Sequence, residues 1–352
     1  MSASFVSTSY LGTALLPSIA QTQSQLTALE VESSTGQYAD LGLQLGDQSG
    51  YELSLKNQNE LMQTLTSGNG LVTTSLKTSQ TALDSIRSSA QSVTQSLTSW
   101  TSTEVNSGAT LQSVGANALQ SLIATANSTA NGQYVFGGIN SSVAPIADYF
   151  SSTTSAAKTA IDAAFQTAFG CLPTDPAASA ITASQMQSFL SGAFANEFSG
   201  ANWTGNWSSA SSVNTSAQIA PGETIDTSTN ANQSGFQQLA QGYTMLAEFG
   251  GSQLSSAAQQ AVASAANSMI TQGTTSITET EAGVGATLQR VTDANSSMSS
   301  QMTILETQIG NLDNVDSAAI ATKLNTLSTQ LQTAYQLTAQ LQKLSLAQYI
   351  PT

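Results

Sequence analysis

The 352-residue chain contains no histidine. That absence removes the commonest general base, the commonest metal ligand and every histidine-containing catalytic triad. A single cysteine, Cys171, excludes an intramolecular disulfide and any paired-cysteine metal site. Charge is scarce as well: Asp, Glu, Lys and Arg make up 8% of residues, against about 25% in an ordinary globular protein. Aromatic residues reach only 6%, lean for a compact enzyme of this size. No run of about 18 apolar residues occurs, so no membrane insertion is expected. Residues 1–20 carry Leu15, Leu16 and Ile19 but no basic cluster and no sustained apolar core, which makes a poor secretory signal. Export, where it occurs, is expected by another route and without a cleaved signal peptide.

The seven cations, Lys56, Lys77, Arg87, Lys158, Arg290, Lys323 and Lys343, are scattered, and 21 acidic residues leave a net charge of -14. Binding phosphate needs several cations on one face, so neither nucleic acid nor an anionic membrane surface is an expected partner. Asp148, Asp162, Asp175 and Glu197 read as solvated charges and helix caps rather than an acid/base pair. Cys171, with no histidine to deprotonate it, reads as a small half-buried side chain. The glycines at 132, 137 and 138 lack the lysine and following helix of a phosphate loop. No catalytic residue, cofactor or metal is expected.

What the sequence has in abundance is helical periodicity. Val72, Leu76, Ser79, Leu83, Ile86, Ala90, Val93, Leu97 and Trp100 alternate steps of four and three, the spacing of a seam facing one partner. The pattern extends back through Leu65, Leu61 and Leu53 to about Tyr51, with Gly68-Asn69-Gly70 as a point where it could kink or break. Val284, Leu288, Val291, Asn295, Met298, Met302, Leu305, Ile309 and Leu312 repeat the signature, reaching back through Ile277, Ile270 and Val262. Helices over 51–100 and 254–311 would measure about 75 and 87 Å at 1.5 Å per residue. Rods of such similar length are natural partners. A shorter return helix is predicted from Leu111 to about Ala130, after a turn over 101–110.

The ends carry seams of their own. Leu15, Ile19, Thr22, Leu26, Leu29 and Ser33 step 4-3-4-3-4 before Gly36 closes the segment, and Pro17 either opens that helix or kinks a longer one. Asp316 is placed to cap a last helix bearing Ile320, Leu324, Leu327, Leu331, Ala334, Leu337, Leu341 and Leu344. Leu331, Leu337, Leu341, Leu344 and Leu346 cover more than one stripe, so one partner helix cannot cover them all. The predicted assembly interface is therefore Leu15, Ile19, Leu26, Leu29, Leu324, Leu327, Leu331, Leu337, Leu341, Leu344 and Leu346, packing against other subunits.

The middle differs. Asn131-Gly132 is a tight-turn pair before the strand-like Gln133-Tyr134-Val135-Phe136 and Gly137-Gly138. Residues 156–169 and 182–198 read as two short amphipathic helices. Trp203, Trp207 and residues 213–227, with Pro221-Gly222 as their turn, suggest strands, and helix resumes over 235–249. The expected fold is mainly α: an elongated antiparallel helical bundle or coiled coil of the N- and C-terminal regions, with a β-hairpin and a small α+β insert. The expected domains are 1–45 plus 313–352 for assembly, 46–135 plus 233–312 as a long-helix bundle, and 136–232 as an outer insert.

Several stretches resemble the flagellin family, and within it the hook-associated proteins of the hook–filament junction. Ser33-Ser34-Thr35-Gly36 is similar to the signature ending the family's first helix. Asn131-Gly132-Gln133-Tyr134-Val135-Phe136-Gly137-Gly138 resembles its hairpin. Leu344-Ser345-Leu346-Ala347-Gln348-Tyr349-Ile350 is similar to the tail of the junction proteins, and residues 311–316 resemble part of their C-terminal region. The resemblance implies stacked helical domains with a variable outer domain, exported through the flagellar channel and arrayed outside the bacterial cell. It implies as partners sibling subunits, a neighbouring hook-associated protein, flagellin and an export chaperone. The reading that follows is a structural junction adaptor, with filament-forming flagellin as the alternative and a secreted helical effector or translocator as a further one. Pro17 and the low charge are departures from the family pattern.

Overall fold

A computed structural model describes residues 8–100, 107–151, 155–251 and 253–347, with side chains at 15–100, 108–151, 155–251 and 253–341. In chain order the helices and strands are α1 (Thr8–Thr35), α2 (Leu41–Leu45), α3 (Ser49–Ser99), α4 (Ser107–Ala126), β1 (Thr129–Ala130), β2 (Gln133–Tyr134), α5 (Ala156–Phe169), α6 (Ala183–Ser191), α7 (Ala193–Asn196), α8 (Gly200–Asn202), β3 (Ser216–Ala220), β4 (Glu223–Asp226), α9 (Ser234–Phe249), α10 (Ser256–Asp313) and α11 (Ser317–Ala347). The fold is a mainly α helical bundle carrying two small antiparallel sheets. It divides into two compact units, residues 62–298 and residues 1–61 with 299–352.

In the larger unit the seam over 76–97 is buried from Leu76 to Leu97, and Ile270, Ile277, Val284, Val291 and Met298 are buried on α10. The two runs lie antiparallel: Asn69 bonds Asn295 at 2.7 Å, and Arg87 donates to Glu281 at 3.1 Å. Gly68-Asn69-Gly70 does not break α3, which is helical throughout its 51 residues. The side chain of Asn69 is held inside, and tertiary contacts outweigh the roughly 1 kcal/mol that each helical glycine costs.

Helix α9 is buried nearly all round, and small residues let its neighbours close on it. A Cβ added at Gly115 of α4 would stand 2.4 Å from Leu246 Cβ and 2.5 Å from the Ala247 nitrogen. From α10, Gly273 meets Leu239 in the same way. Beside α9 lies an aromatic core: Phe165 stacks on Phe249 at 5.3 Å, and Phe189, Phe194 and Phe198 continue the cluster towards Trp207.

The turn between β1 and β2 has φ of +52° at Asn131 and +76° at Gly132, the left-handed pair that a two-residue hairpin demands. The second hairpin, β3–β4, shifts register across Ile219. Two sequence expectations are corrected. Residues 182–198 are not one helix, because the chain breaks at Gly192 between α6 and α7. Trp203 and Trp207 are not in strands; they flank a single π-helical turn that stacks their rings 5.8 Å apart. Burial of two large indoles in one core, rather than β-propensity, decides that segment.

Candidate assembly surface

The smaller unit is built by a pair of turns. Helix α1 ends where Gly36 takes φ of +74° and donates to the Glu32 carbonyl at 2.8 Å. Pro17 lies well inside this helix rather than at its first turn. Downstream, Asp316 Oδ1 accepts from the Ala318 and Ala319 amides at 2.9 and 3.2 Å, which starts α11 as a capped helix. The two turns bind each other: Gln37 bridges Asn314, Tyr38 N–H donates to the Asp313 carbonyl at 3.0 Å, and Val315 N–H to the Gly36 carbonyl at 3.0 Å. Helix α1 therefore runs into this knot and α11 runs out of it, the two lying side by side with opposite chain directions, and Gln23 donates to the Tyr335 hydroxyl further along.

Lys56 fastens the same knot from α3. Its ammonium pairs with Asp313 at 2.8 Å and with Glu52 one helical turn before it. Asp313 is wholly buried and Glu52 nearly so. The bond to Asp313, with the smaller help of Glu52, raises the Lys56 pKa above the ordinary lysine value.

The structure places the eleven predicted interface leucines and isoleucine unevenly. Ile19 and Leu29 are buried between the helices. Leu15, Leu26, Leu324, Leu327, Leu331 and Leu341 are half-buried, and Leu337 is 48% exposed. Leu344 and Leu346 lie outside the residues whose side chains are described. Leu16, Val31 and Tyr335, which the seam counting did not include, are also exposed on α1 and α11. Seam counting also missed Leu43, 85% exposed on the short helix α2. The signal for Leu43 lay in its neighbours: Asp40 accepts from the Leu43 amide at 2.9 Å and caps α2, inside a stretch that glycines made look featureless.

Of the fifteen exposed large apolar side chains among the described residues, nine lie in this smaller unit: Leu16, Val31, Leu43, Tyr51, Leu53, Leu61, Ile304, Tyr335 and Leu337. Exposed apolar side chains that gather into a patch are candidates for contact with a partner. Between α1 and α11 runs an open groove of about 500 Å³ lined by Gln25, Ala28, Leu29, Thr322, Lys323, Thr326, Leu327 and Gln330.

The family model for the bacterial flagellin N-terminal helical region matches residues 6–141, and that for the bacterial flagellin C-terminal helical region matches residues 267–350. The chain belongs to the flagellin family. No curated protein sequence matches it. Among solved structures, a Vibrio parahaemolyticus protein described as a flagellar hook-associated protein is similar in fold, with a TM-score of 0.50 at 13% identity, covering 76% of this chain and 97% of that one. This flagellin-family chain is a structural component of the flagellum, outside the cell, in a family whose members assemble with sibling subunits and other flagellar proteins. The matched helical regions hold the whole surface just described, from α1 and α2 to α11.

Proposed function

We propose that the chain is a junction adaptor that couples hook to filament by packing its terminal helices against neighbouring subunits. The observation that carries this is the crowding of exposed apolar side chains onto the unit that contains both ends of the chain. The interface consists of Leu15, Ile19, Leu26, Leu29, Leu324, Leu327, Leu331, Leu337, Leu341, Leu344 and Leu346, joined by Leu16, Val31 and Tyr335. Within it, residues 1–45 and 313–352 form the assembly domain, 46–135 and 233–312 the supporting long-helix bundle, and 136–232 the outer insert. The junction position is supported by the tail at 344–350 and by the fold shared with a protein described as hook-associated. Sibling subunits, a neighbouring hook-associated protein and flagellin would cover the surface after export, and an export chaperone before it. The work is mechanical, with no chemical step.

A filament-forming flagellin is the second reading, favoured by the flagellin description of both matched regions. Immunogold labelling separates the two: an adaptor is found only at the filament base, a flagellin along its length. A translocator needs an apolar membrane hairpin, and among the described residues no helix is long and apolar enough to cross a membrane. A deletion strain that keeps hooks and sheds flagellin into the medium supports the adaptor; one with normal filaments refutes it.

A further inference from the structure

We infer that Leu43 is a knob that enters the groove between α1 and α11 of a second copy of this chain. The inference rests on the assembly reading above and names one contact within it. Three observations join here. First, Leu43 is 85% exposed, the most exposed large apolar side chain among the described residues, so it does not fill the groove of its own chain. It is also fixed in place, because Asp40 caps the turn that presents it and the Leu43 amide donates into that cap at 2.9 Å. A flexible loop leucine would lose that presentation; a capped one is pre-organised for docking.

Second, the groove offers what a leucine needs. The lining includes Ala28, Leu29 and Leu327, and the groove holds about 500 Å³ of open space. Its two threonines need no partner from outside, since Thr322 and Thr326 each donate to a carbonyl four residues back at 2.9 Å. Displacing water from these hydroxyls therefore leaves no donor unpaired.

Third, charge matches. The knob is flanked by the acids Asp40 and Asp47, and the groove rim carries Lys323, one of only seven cations in the chain. Lys323 makes no ion pair among the described residues. At a net charge of -14, copies repel one another, and acid-to-lysine pairing fixes an orientation in which they can meet. Knob and groove are different surfaces of one unit, so the contact is heterologous. Each copy offers a knob to one neighbour and a groove to another, which propagates an array rather than closing a pair.

The test uses flagella sheared from cells that express two differently tagged full-length copies, one Leu43→Cys and one Thr326→Cys, both with Cys171→Ser. A short bismaleimide should give a covalent dimer bearing both tags, and neither variant expressed alone should give its own dimer. Both variants present in the flagella with no mixed dimer would overturn the inference. If the cysteine variants fail to incorporate, charge reversal decides: Lys323→Glu should lower incorporation about tenfold and Lys323→Glu with Asp47→Lys should restore it. Unchanged incorporation of Lys323→Glu, or no rescue, would overturn it equally. The parent Cys171→Ser chain separates the two levels of failure. Its absence from sheared flagella removes the assembly reading together with the knob; its presence alongside a failed cross-link removes the knob alone.

Discussion

Asn69 sits where an apolar seam residue belongs. Counting back in sevens from Leu76 gives Asn69, Met62 and Leu55, and all three are buried. The Asn69 amide nitrogen donates to the Ile219 carbonyl at 2.8 Å and to Asn295 Oδ1 at 2.7 Å. Ile219 is the residue across which the β3–β4 ladder shifts register, and it is fully buried. Asn69→Ala would remove this donor from the buried Ile219 carbonyl and from Asn295 Oδ1, the latter at less cost, since Asn295 is half-buried and can turn towards water. A buried unsatisfied polar group costs about 1–3 kcal/mol, so the expected loss is about 2–4 kcal/mol. In a unit of this size that corresponds to a fall of very roughly 5–15 °C in Tm. Calorimetry of the full chain should show the loss. A double-mutant cycle with Asn295→Ala should return a coupling of at least about 0.5 kcal/mol between the two positions. Amide exchange should quicken in the β3–β4 hairpin, which the clamp holds down. A loss below about 0.5 kcal/mol, or an Asn69→Ala chain whose hairpin exchanges as slowly as the parent's, would refute the clamp.

Three further outcomes are expected. Gly115→Leu should cost about 2–3 kcal/mol or more and loosen α4 from α9, because even its Cβ would stand 2.4 Å from Leu246 Cβ; denaturant unfolding checks it, and a neutral effect would show that the helices can part freely. Lys56 has its pKa raised by Asp313 and Glu52, so its contribution is complete below the unfolded lysine value and lost as pH rises through the higher folded value. The parent should lose stability above about pH 10.5 more steeply than Lys56→Met; parallel alkaline unfolding curves would contradict this. Removing the last ten residues should leave the unfolding of residues 62–298 unchanged while abolishing incorporation into the flagellum, and wild-type motility in that truncation would refute the assembly role of Leu344 and Leu346.

The long helices were legible in the sequence because their apolar steps alternate four and three, a period no strand shares. Their ends were found within a few residues, and Asp316 and Gly36 punctuate the terminal pair as their side chain and φ angle require. The core of the insert was less legible. A π-helical turn at Trp203–Trp207 has no sequence signature of its own, and the break at Gly192 depends on how Phe189 and Phe194 both reach the aromatic cluster. Asn69 escaped notice for the opposite reason: the heptad places it correctly, yet a polar residue between two glycines reads as a breaker until Ile219, 150 positions away, supplies its partner. Of the proposed assembly surface, periodicity gave the seam residues, while the exposure of Leu16, Val31, Tyr335 and Leu43 lies off the seam, where period alone carries no information.

The low charge of the chain acquires a physical sense on the proposed assembly surface. A helix that stands in water before assembly and against a neighbour afterwards needs polar groups that tolerate both states. Lysine and glutamate do not, since each loses hydration on burial and must then find a partner of good geometry. Threonine does. On α11, Thr322, Thr326, Thr329 and Thr333 each donate to the carbonyl four residues back at 2.8–2.9 Å, and on α1, Thr22, Thr27 and Thr35 do the same at 2.9–3.1 Å. These hydroxyls keep their hydrogen bonds whether the outer face is wet or covered, so covering it costs little beyond the ordering of side chains. Replacing Thr326 by Lys should leave α11 helical and the isolated chain as soluble as before, yet lower incorporation into flagella sharply. A Thr326→Lys chain that assembles as the parent does would show that this face of α11 stays in water.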